Sequence, residues 1–428
     1  MVLVFDIGKT NKKAFVFDAE YRIVYEKSTV LPETRDEDGF PCEDIDLLTH
    51  WFISEFNVVI KKPEFDIKAV NFSAYGASFV LIGEDWFPIA PLYNYLKPLD
   101  EKIQAQFYKK YGGEKQLAQL TASPVLGNLN SGMQLYRLKK EKRRLFNKIF
   151  CALHLPQYFY FLLVQEFYSD ITSIGCHTNL WDFENNDYHD WVLTEGIDEI
   201  LSPIIGSDFT NEINIGNKRL KVGVGLHDSS AALIPYLIKF SNQPFVLIST
   251  GTWCISLNPF NSSPLTKEEL EQDCLCYMSY KGKPVKAARY FGGNEHELRV
   301  KTLIEKYGVS IDAYQLIKFD VSILAKLNSG KSEENFSESY HALMRDIVKK
   351  QVASTQLVLN NSPVEQIFVD GGFSKNDIYM RLLAQSFPNI KVFRAEVSEA
   401  TALGAALALS DQDLTDLKIP LIVNRVNS

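Results

Sequence analysis

Apolar and polar residues alternate in short blocks through the first part of the chain. The segments MVLVFD, KAFVFD and YRIVYEKSTV, all within residues 1–30, are rich in β-branched and aromatic residues and predict three consecutive strands. Residues 43–62 space their large apolar side chains at helical intervals, with acids at the start and lysines at the end, which favours a helix. The segment DIKAVNFSAYG, residues 66–76, predicts a return to strand.

The α/β alternation begins again near Lys221, after a mostly helical stretch over residues 99–145. The second half predicts a strand, a strand–turn–strand, a long helix, a strand with a glycine turn, and a last strand with its helix. The segments are LKVGVGLHD (220–228), PFVLISTGTWCISL (244–257), FSESYHALMRDIVKKQVASTQLVLN (336–360), VEQIFVDGGFSKND (364–377) and NIKVFRAEVSEATALGAALAL (389–409). Each half thus has a strand–turn–strand with Gly and Thr at its turn. This predicts two α/β domains, residues 1–222 and 223–428, with a nucleotide in the cleft between them.

Composition narrows the class of protein without identifying it. The 428 residues are more than one hydrophobic core usually serves, and the composition, 46% apolar and 23% charged, is typical of globular proteins. The net charge of −8 argues against a nucleic acid partner. MVLVF is too short for a signal peptide and FYFLLV too short to span a bilayer, so we expect a cytoplasmic protein with no membrane partner. Its six cysteines are scattered without zinc-site spacing.

The candidate chemistry starts in the turn of FDIGKTNKKAFVF, residues 5–17. One interpretation is a hairpin with a polar turn, since such hairpins are common. The other is a phosphate loop, in which Gly8 lets backbone N–H groups approach an anion and Thr10, Asn11 and Lys13 donate to phosphate oxygens. Asp6 would then hold the waters of a magnesium ion.

Each of three later segments also allows two interpretations. STGTW (249–253) is either a turn stabilised by hydroxyl groups or a second phosphate loop. VDGGFSKND (369–377) predicts a strand, a Gly-Gly turn and a helix with Ser374 as its N-cap, which would bring backbone close to a base or ribose; the alternative is an ordinary strand-to-helix turn. EATALGAALAL (399–409) forms either an adenine slot or a plain packing contact of a helix on a sheet. The candidate ATP contacts in the three segments are Thr250, Gly251, Thr252, Gly371, Gly372, Ser374, Asn376 and Gly404.

Asp228, in GLHDSSAAL, follows a predicted strand and precedes a predicted helix. An aspartate at that point is commonly an N-cap. The carboxyl end of a strand is also where α/β folds carry their chemistry, and a carboxylate there could accept the proton of an attacking hydroxyl in phosphoryl transfer. The local sequence leaves both interpretations open.

Taken in order, these segments resemble the FGGY family of carbohydrate kinases, of the actin, hexokinase and heat-shock ATPase superfamily, over nearly the whole chain. The opening loop resembles that family's first phosphate motif, STGTW its second, and DGGFSKN with EATALGAA its adenosine motif. Residues 154–182 resemble a segment of its sugar domain. The runs HDSSAA and SAYGASFVLI place the chain nearest to the rhamnulokinase branch.

The resemblance implies an ATP- and Mg²⁺-dependent sugar kinase of the α/β class, with two actin-like (ribonuclease H-like) domains around a cleft. The first domain would bind the sugar and carry the first phosphate loop. The second would bind adenosine and carry the catalytic base, since Asp228 matches the position of the base in the family. The implied sugar contacts are Ser73, Tyr75, Gly76, His227, Asp228, Arg289 and Asn294, although Arg289 and Asn294 could instead belong to a surface turn.

Departures from the family pattern leave the sugar open. Lys9 stands in the first loop where many relatives have a small or hydroxyl residue, and the other changes fall on the sugar side. These are Ser73, Tyr75, Ser78, Asn94 and Gln157. A ketose similar to L-rhamnulose is the implied substrate, with L-fuculose, D-xylulose or a polyol as alternatives. A non-catalytic nucleotide sensor or an actin-like assembly protein is the alternative from another class, and a homodimer is left open.

Overall fold

The structure is a computed structural model that describes residues 1–330, 333–360, 362–397, 399–410 and 419–426. Its strands, in chain order, are β1 (Val2–Ile7), β2 (Asn11–Phe17), β3 (Ile23–Val30), β4 (Glu33–Arg35), β5 (Pro41–Glu43), β6 (Ala69–Ala74), β7 (Phe79–Ile82), β8 (Cys151–His154), β9 (Ser169–Asp170), β10 (Trp181–Asp182), β11 (Asp187–Tyr188), β12 (Ile204–Ile205), β13 (Thr210–Ile215), β14 (Lys218–Gly223), β15 (Leu226–His227), β16 (Phe245–Thr250), β17 (Cys254–Asn258), β18 (Cys274–Met278), β19 (Pro284–Tyr290), β20 (Gln366–Gly371), β21 (Lys391–Val397) and β22 (Leu421–Arg425).

The helices are α1 (Ile45–Ile60), α2 (Glu101–Lys110), α3 (Glu114–Thr121), α4 (Ser131–Glu141), α5 (Arg143–Phe146), α6 (Leu155–Val164), α7 (Ile171–Ile174), α8 (Asp190–Thr194), α9 (Asp228–Lys239), α10 (Lys267–Glu271), α11 (Gly292–Tyr307), α12 (Val321–Asn328), α13 (Phe336–Leu359), α14 (Asp377–Ser386) and α15 (Ala400–Leu407). Short 3₁₀ turns include Ala313–Leu316 and Phe373–Lys375. Within the described residues, no helix is both long enough and apolar enough to cross a membrane.

Two seven-stranded sheets organise the described part of the chain. The first has the order β13-β14-β6-β1-β2-β3, with β15 also paired to β6, and the second has the order β18-β19-β17-β16-β20-β21-β22. In the first sheet β1 is antiparallel to β2 and parallel to β6. In the second, β16 is antiparallel to β17 and parallel to β20. The two halves therefore repeat one pairing scheme, with a candidate phosphate loop at the same turn of each.

The first strands and the first helix of the structure confirm the elements predicted from the hydrophobic periodicity. The three predicted strands are β1, β2 and β3, and the predicted helix over residues 43–62 is α1, which begins after the N-cap Asp44. The side chain of Asp44 accepts a hydrogen bond from the N–H of Leu47. Capping satisfies a backbone donor that the helix itself leaves free, so the acid at this boundary was an informative signal.

The segment LKVGVGLHD forms two strands rather than the single strand predicted. β14 ends at Gly223 and β15 covers only Leu226–His227, and both pair with β6 of the first sheet. The strand breaks because Gly225 has φ +82°, a left-handed conformation that does not continue a ladder. The second sheet begins only at Phe245, and the domain division at residue 222 stays a prediction.

The prediction that Ser374 caps α14 is wrong. The 3₁₀ turn Phe373–Lys375 separates β20 from the helix, so the N-cap is Asn376, whose side chain accepts from the N–H of Tyr379 at 2.9 Å. The hydroxyl of Ser374 instead donates to the carbonyl of Gly371 at 2.8 Å. The extra turn follows from the left-handed conformation of Gly371, φ +77°, which redirects the chain.

Helices α9 and α15 pack against each other between the two sheets. One buried apolar cluster contains residues of β1 and β2, of both helices and of the second sheet. The helices cross so closely that a Cβ on Gly404 of α15 would lie 1.9 Å from the carbonyl oxygen of Ala231 in α9. The side chain of Asn71 in β6 donates to the carbonyl of Ala405 at 2.7 Å, which ties α15 to the first sheet as well. The helix pair therefore sets the distance between the sheets.

Replacing Gly404 with Ala should destabilise the protein, because backbone atoms in one of the two helices must move. We expect Gly404→Ala to lower the free energy of unfolding by roughly 1–3 kcal/mol, as overpacking of a core does. Thr401→Ala on the same helix adds no atoms and is the control, with an expected change within about 0.5 kcal/mol. Urea unfolding of both variants measures the difference. Equal stability of the Gly404 and Thr401 variants would contradict the close crossing.

Candidate active site

The first loop is the turn between β1 and β2. The N–H of Gly8 donates to the carbonyl of Asn11 at 2.9 Å, which closes a turn with Lys9 and Thr10 at its tip. No group in the described part of the chain accepts a hydrogen bond from the N–H groups of Lys9 and Thr10. The side chains of Thr10 and Asn11 are exposed. The turn therefore presents free donors, as an anion-binding loop requires.

Asp6, next to the last residue of β1, lies among other charged groups. Desolvation raises the pKa of Asp6 to about 7, with contributions from the negative charges of Asp228 and Glu399, while the ammonium of Lys13 opposes the shift. Nζ of Lys13 also donates to Oε1 of Glu399 at 2.7 Å, so the first hairpin contacts the start of α15. The carboxylates of Asp228, at the start of α9, and of Glu399, just before α15, are therefore near enough to Asp6 to contribute to its raised pKa.

The second loop and the glycine turn, separate in the sequence, are bonded to each other. The N–H of Gly372 donates to the carbonyl of Thr250 at 2.9 Å, and the N–H of Phe373 donates to Oγ1 of Thr250 at 3.0 Å. A Cβ on Gly371 would lie 1.9 Å from the carbonyl oxygen of Thr250, and one on Gly293 would lie 1.9 Å from that of Gly251. The second loop is therefore held between two glycines that allow its backbone to come this close.

A cavity of about 550 Å³ opens beside this contact. Its volume is within the range of sites for small molecules and cofactors. Four of the predicted ATP contacts, Thr250, Gly251, Gly372 and Asn376, line this cavity, and none of the other lining residues was singled out from the sequence. These are Gly293, His296, Tyr314, Gln315, Ile317, Lys318, Phe373, Lys375 and Asp377.

The missed residues carried little signal. Gly293 lies within ARYFGGNEHEL, but the sequence drew attention to Arg289 and Asn294 instead. Tyr314 and Gln315 lie in a 3₁₀ turn with no motif of its own. His296 contacts Tyr340, with Nε2 and the phenol oxygen 3.0 Å apart, and its ring lies edge-on to those of Tyr314 and Phe373. These contacts depend on tertiary packing that no local pattern reveals.

The other candidate ATP contacts are not among the residues that line this cavity. Gly404 is buried in the α9–α15 crossing rather than in the cavity lining. The backbone of Asn294, a candidate sugar contact, lies beside the second loop, because its N–H donates to the carbonyl of Thr252 at 3.2 Å. Gly404 thus lets α15 pack closely against the helix α9, whereas the two interpretations from the sequence were an adenine slot and packing of this helix on a sheet.

Asp228 is the first residue of α9, and the N-cap position belongs to His227. Oδ1 of Asp228 accepts from the N–H of Ser229 at 2.5 Å and lies 3.2 Å from Nε2 of His227. Oδ2 accepts no hydrogen bond from the described residues. About a third of the side chain, 35%, is exposed. One carboxylate oxygen is thus oriented by the protein while the other stays available as a proton acceptor.

His227 lies at the centre of a buried polar region. Its N–H donates to Oγ1 of Thr172 at 3.0 Å, and a Cβ on Gly76 would lie 3.0 Å from its ring. The rings of His177 and Tyr277 are 6.3 and 5.5 Å from it, centroid to centroid. Tyr277 lies on β18 of the second sheet, so both sheets contribute to this region. The predicted residues Gly76 and His227 are thereby brought together.

Several buried polar atoms in and around this region have no hydrogen-bond partner among the described residues. The group comprises Oγ of Ser73, Nδ1 of His154, Oε1 of Gln157, Oγ of Ser173, Nδ1 of His177, Nδ1 of His227 and Nε of Arg289. An unpaired buried polar group costs roughly 1–3 kcal/mol, so native folds contain few of them. A polar ligand in this region could supply the hydrogen-bond partners that these atoms lack.

Arg289 is buried, not a residue of a surface turn. NH2 of Arg289 donates to Oδ1 of Asp273 at 2.6 Å, and the guanidinium lies 5.3 Å from the centre of the Trp253 ring. Burial, and after it the positive charge of Arg289, lowers the pKa of His177 well below the usual range. Tyr75 also borders the cleft, where its ring lies 5.9 Å from that of Tyr95.

Family models match most of the chain. Residues 1–233 match the "FGGY family of carbohydrate kinases, N-terminal domain". Residues 242–329 match "Carbohydrate kinase FGGY, C-terminal domain", and residues 337–410 match "FGGY family of carbohydrate kinases, C-terminal domain". The first match alone covers more than half of the 428 residues.

Individual relatives agree with the family models. A curated rhamnulokinase from Halalkalibacterium halodurans is 25% identical over 282 residues, a match that spans 61% of this chain and 57% of that protein. A carbohydrate kinase from Novosphingobium aromaticivorans superposes with a TM-score of 0.82 at 21% identity, over 99% of this chain and 96% of the other. A ligand-bound xylulose kinase from Lactobacillus acidophilus gives 0.81 at 17%, over 99% and 93%. These structures confirm the predicted two-domain, actin-like α/β fold.

The buried histidines should make stability depend on pH in a way that single variants reveal. Burial lowers the pKa of His154 to about 3, whereas a histidine in the unfolded chain titrates near 6.5. As the pH falls below about 6.5, the unfolded chain binds a proton that the folded protein does not, and stability is lost down to about pH 3. The buried carboxyls of Asp170 and Asp370, with pKa values raised to about 6, act in the opposite direction.

The comparison of His154→Gln with the wild type isolates the contribution of His154 to the pH dependence of the free energy of unfolding. Between pH 7.5 and 5.5 we expect the variant to gain about 1.4 kcal/mol of unfolding free energy relative to the wild type, because it lacks that titrating group. His50→Gln is the control, since His50 is exposed. Urea unfolding at both pH values measures the difference. A difference from the wild type that does not vary with pH would show that His154 titrates normally in the fold.

Proposed function

Because the chain belongs to the FGGY family of carbohydrate kinases, we propose that it transfers the γ-phosphoryl group of ATP to a hydroxyl of a ketose similar to L-rhamnulose. The observation that carries the proposal is the convergence of Asp6, Asp228 and Glu399 beside a loop with free backbone donors. This arrangement suits phosphoryl transfer, which depends on positioning and electrostatics.

ATP would bind with its adenosine in the 550 Å³ cavity and its phosphates between the two loops. The bonds from Gly372 and Phe373 to Thr250 support this placement, since they join the second loop to the wall of the cavity. The free N–H groups of Lys9 and Thr10 support a phosphate contact on the first loop. Gly8, Asn11, Lys13, Gly251, Thr252, Gly371, Ser374 and Asn376 complete the proposed ATP contacts, and Gly404 would act through helix packing.

Asp228 is the proposed catalytic base. Its Oδ2 would accept the proton of the sugar hydroxyl while the hydroxyl oxygen forms a bond to the γ-phosphorus and the bond from that phosphorus to the β-phosphate oxygen breaks. Oδ1, held by Ser229 and His227, orients the carboxylate. The partial exposure of Asp228 leaves room for a substrate beside it.

The carboxylates fit a magnesium ion held through water. Burial is the main cause of the raised pKa of Asp6, and the negative charges of Asp228 and Glu399 add to it while Lys13 opposes it, so a divalent cation beside Asp6 would stabilise its ionised form. The described residues contain no set of three side chains positioned to ligate a metal directly. This agrees with Mg²⁺, which keeps several waters and binds proteins through one or two carboxylates together with substrate phosphates. When bound, the ion would neutralise charge on the transferred phosphoryl group.

The sugar would occupy the region around His227. The unpaired atoms of Ser73, His177 and Arg289 support a polyhydroxylated ligand, which would supply the missing hydrogen-bond partners. Gly76 and Tyr75 would form its first-domain side, and Asn294 is the least supported contact, since its backbone lies at the second loop. Similarity to a rhamnulokinase and to a xylulose kinase favours a ketose, and L-rhamnulose, L-fuculose and D-xylulose stay open as substrates.

ATP consumption by the purified protein should rise on addition of one sugar from a panel of ketoses and polyols that includes L-rhamnulose, L-fuculose and D-xylulose. Product formation with Mg²⁺, and its loss on chelation, would establish the kinase and its sugar. ATP binding without stimulation by any sugar, or polymerisation on addition of ATP, would instead favour a sensor or an assembly protein.

Asp228→Asn should lower kcat by about 10²–10⁴-fold, the usual contribution of a general base, while the Kd for ATP changes little. Asp346→Asn is the control, because Asp346 pairs with Arg299 on the second-domain helices. Initial rates and calorimetric ATP binding measure the two effects. Wild-type turnover in Asp228→Asn would refute the base assignment.

A further inference from the structure

Lys12 is a buried lysine in the first hairpin, where its neighbours Lys9 and Lys13 are partly exposed. Its side chain is 2% exposed. Nζ of Lys12 donates to the carbonyl of Gly8 at 3.0 Å and to that of Lys9 at 2.9 Å, and it lies 2.9 Å from Oε2 of Glu43. An ammonium has three protons, and these three acceptors use all of them. Lys12 therefore has no donor left for a ligand.

Glu43, at the end of β5, is the partner that holds Lys12 in place. Its side chain is 8% exposed. The hydroxyl of Tyr75 donates to Oε1 of Glu43 at 2.7 Å, and Nζ of Lys9 lies 3.3 Å from the same oxygen. Lys9 also pairs with Glu33 at 2.9 Å on the rim. The carboxylate of Glu43 thus joins the turn to the residue that follows β6.

The contacts of Lys12 act on the backbone of the turn. Because the carbonyls of Gly8 and Lys9 both point to one buried ammonium, the orientations of the peptide units that follow them are set. Those peptide units carry the N–H groups of Lys9 and Thr10, which have no acceptor among the described residues. Lys13 differs, since it is 23% exposed and pairs with Glu399 instead.

We propose that Lys12, held by Glu43 and Tyr75, is a positioning residue that aims the free N–H groups of the first loop at the nucleotide phosphates. The proposal rests on the proposed function, since it requires ATP phosphates at this loop. Lys12 would not touch ATP. It would act only through the peptide units between Gly8 and Thr10, and so affect the phosphates but not the adenosine, which would bind to the second sheet.

The test compares an ATP analogue with AMP in the full chain. AMP reports on the adenosine cavity, and Mg²⁺–AMP-PNP reports on the cavity and the phosphate loops together. For Lys12→Met we expect a Kd for AMP-PNP at least tenfold weaker, with the Kd for AMP within twofold of the wild type. If Lys12 contributed only to overall stability, the substitution would change the melting temperature but would not affect the Kd for AMP-PNP differently from the Kd for AMP.

Two milder variants cover the case in which Lys12→Met does not fold. Glu43→Gln keeps the shape of the side chain, and Tyr75→Phe removes only the hydroxyl that donates to Glu43; we expect each to weaken AMP-PNP about two- to fivefold and to spare AMP. Tyr93→Phe is the matched control, because the hydroxyl of buried Tyr93 donates to Glu37 at 2.6 Å, away from the first loop. We expect it to bind both nucleotides as the wild type does.

The outcomes separate this inference from the kinase proposal. Wild-type affinity for AMP-PNP in a folded Lys12→Met, or in both milder variants, would overturn the positioning role and leave the kinase intact if sugar-dependent ATP consumption persists. Equal weakening of AMP and AMP-PNP would also overturn it, since the effect would not be confined to the phosphates. Failure of the wild type to bind AMP-PNP would overturn both proposals.

Discussion

The close crossing of α9 and α15 is the constraint on which the rest of the structure depends. The helices lie between the sheets, and the carbonyl of Ala231 occupies the space that a side chain on Gly404 would need. Both helices begin at the cleft, one with Asp228 and the other just after Glu399. Their close packing therefore brings two carboxylates near enough to Asp6, in β1, to contribute to its raised pKa, and this cluster is the chemical centre of the site that we propose.

A second close approach of backbone segments forms the side of the cleft where we propose that the nucleotide binds. Gly371 and Gly293 let the backbone of Thr250 and Gly251 come nearer than any side chain would permit. The cavity opens beside that contact, lined by an aromatic and polar wall that includes His296 and Tyr314. Backbone packing thus places loops, while the side chains around them supply charge and shape. The ion pair of Lys13 with Glu399 then links the first loop to the helix pair.

Many of the strands, helices and turns could be predicted from the sequence, because strand and helix periodicity and glycine-containing turns are local signals. The strands β1 to β3, the helix α1 and the strand–turn–strand around Thr250 followed from such patterns. The helix cap at Asn376 could not be predicted, because a 3₁₀ turn intervenes. The burial of Arg289 could not be predicted either, because its partner Asp273 lies in the separate turn between α10 and β18. The residues 313–318 that border the cavity lack a local pattern and become visible only once the chain is folded.

The run KTNKK, residues 9–13, shows which features the local sequence determines and which depend on the tertiary structure. The sequence by itself determined a polar turn between two strands, with three lysines and the residue types of a phosphate loop, because alternation and turn chemistry act over a few residues. Tertiary structure alone decided which lysine does what. Lys9 lies on the rim with Glu33, Lys12 is buried against Glu43, and Lys13 reaches Glu399, a partner 386 positions away. An ammonium takes its role from the acceptors around it, and those come from segments that only folding brings together.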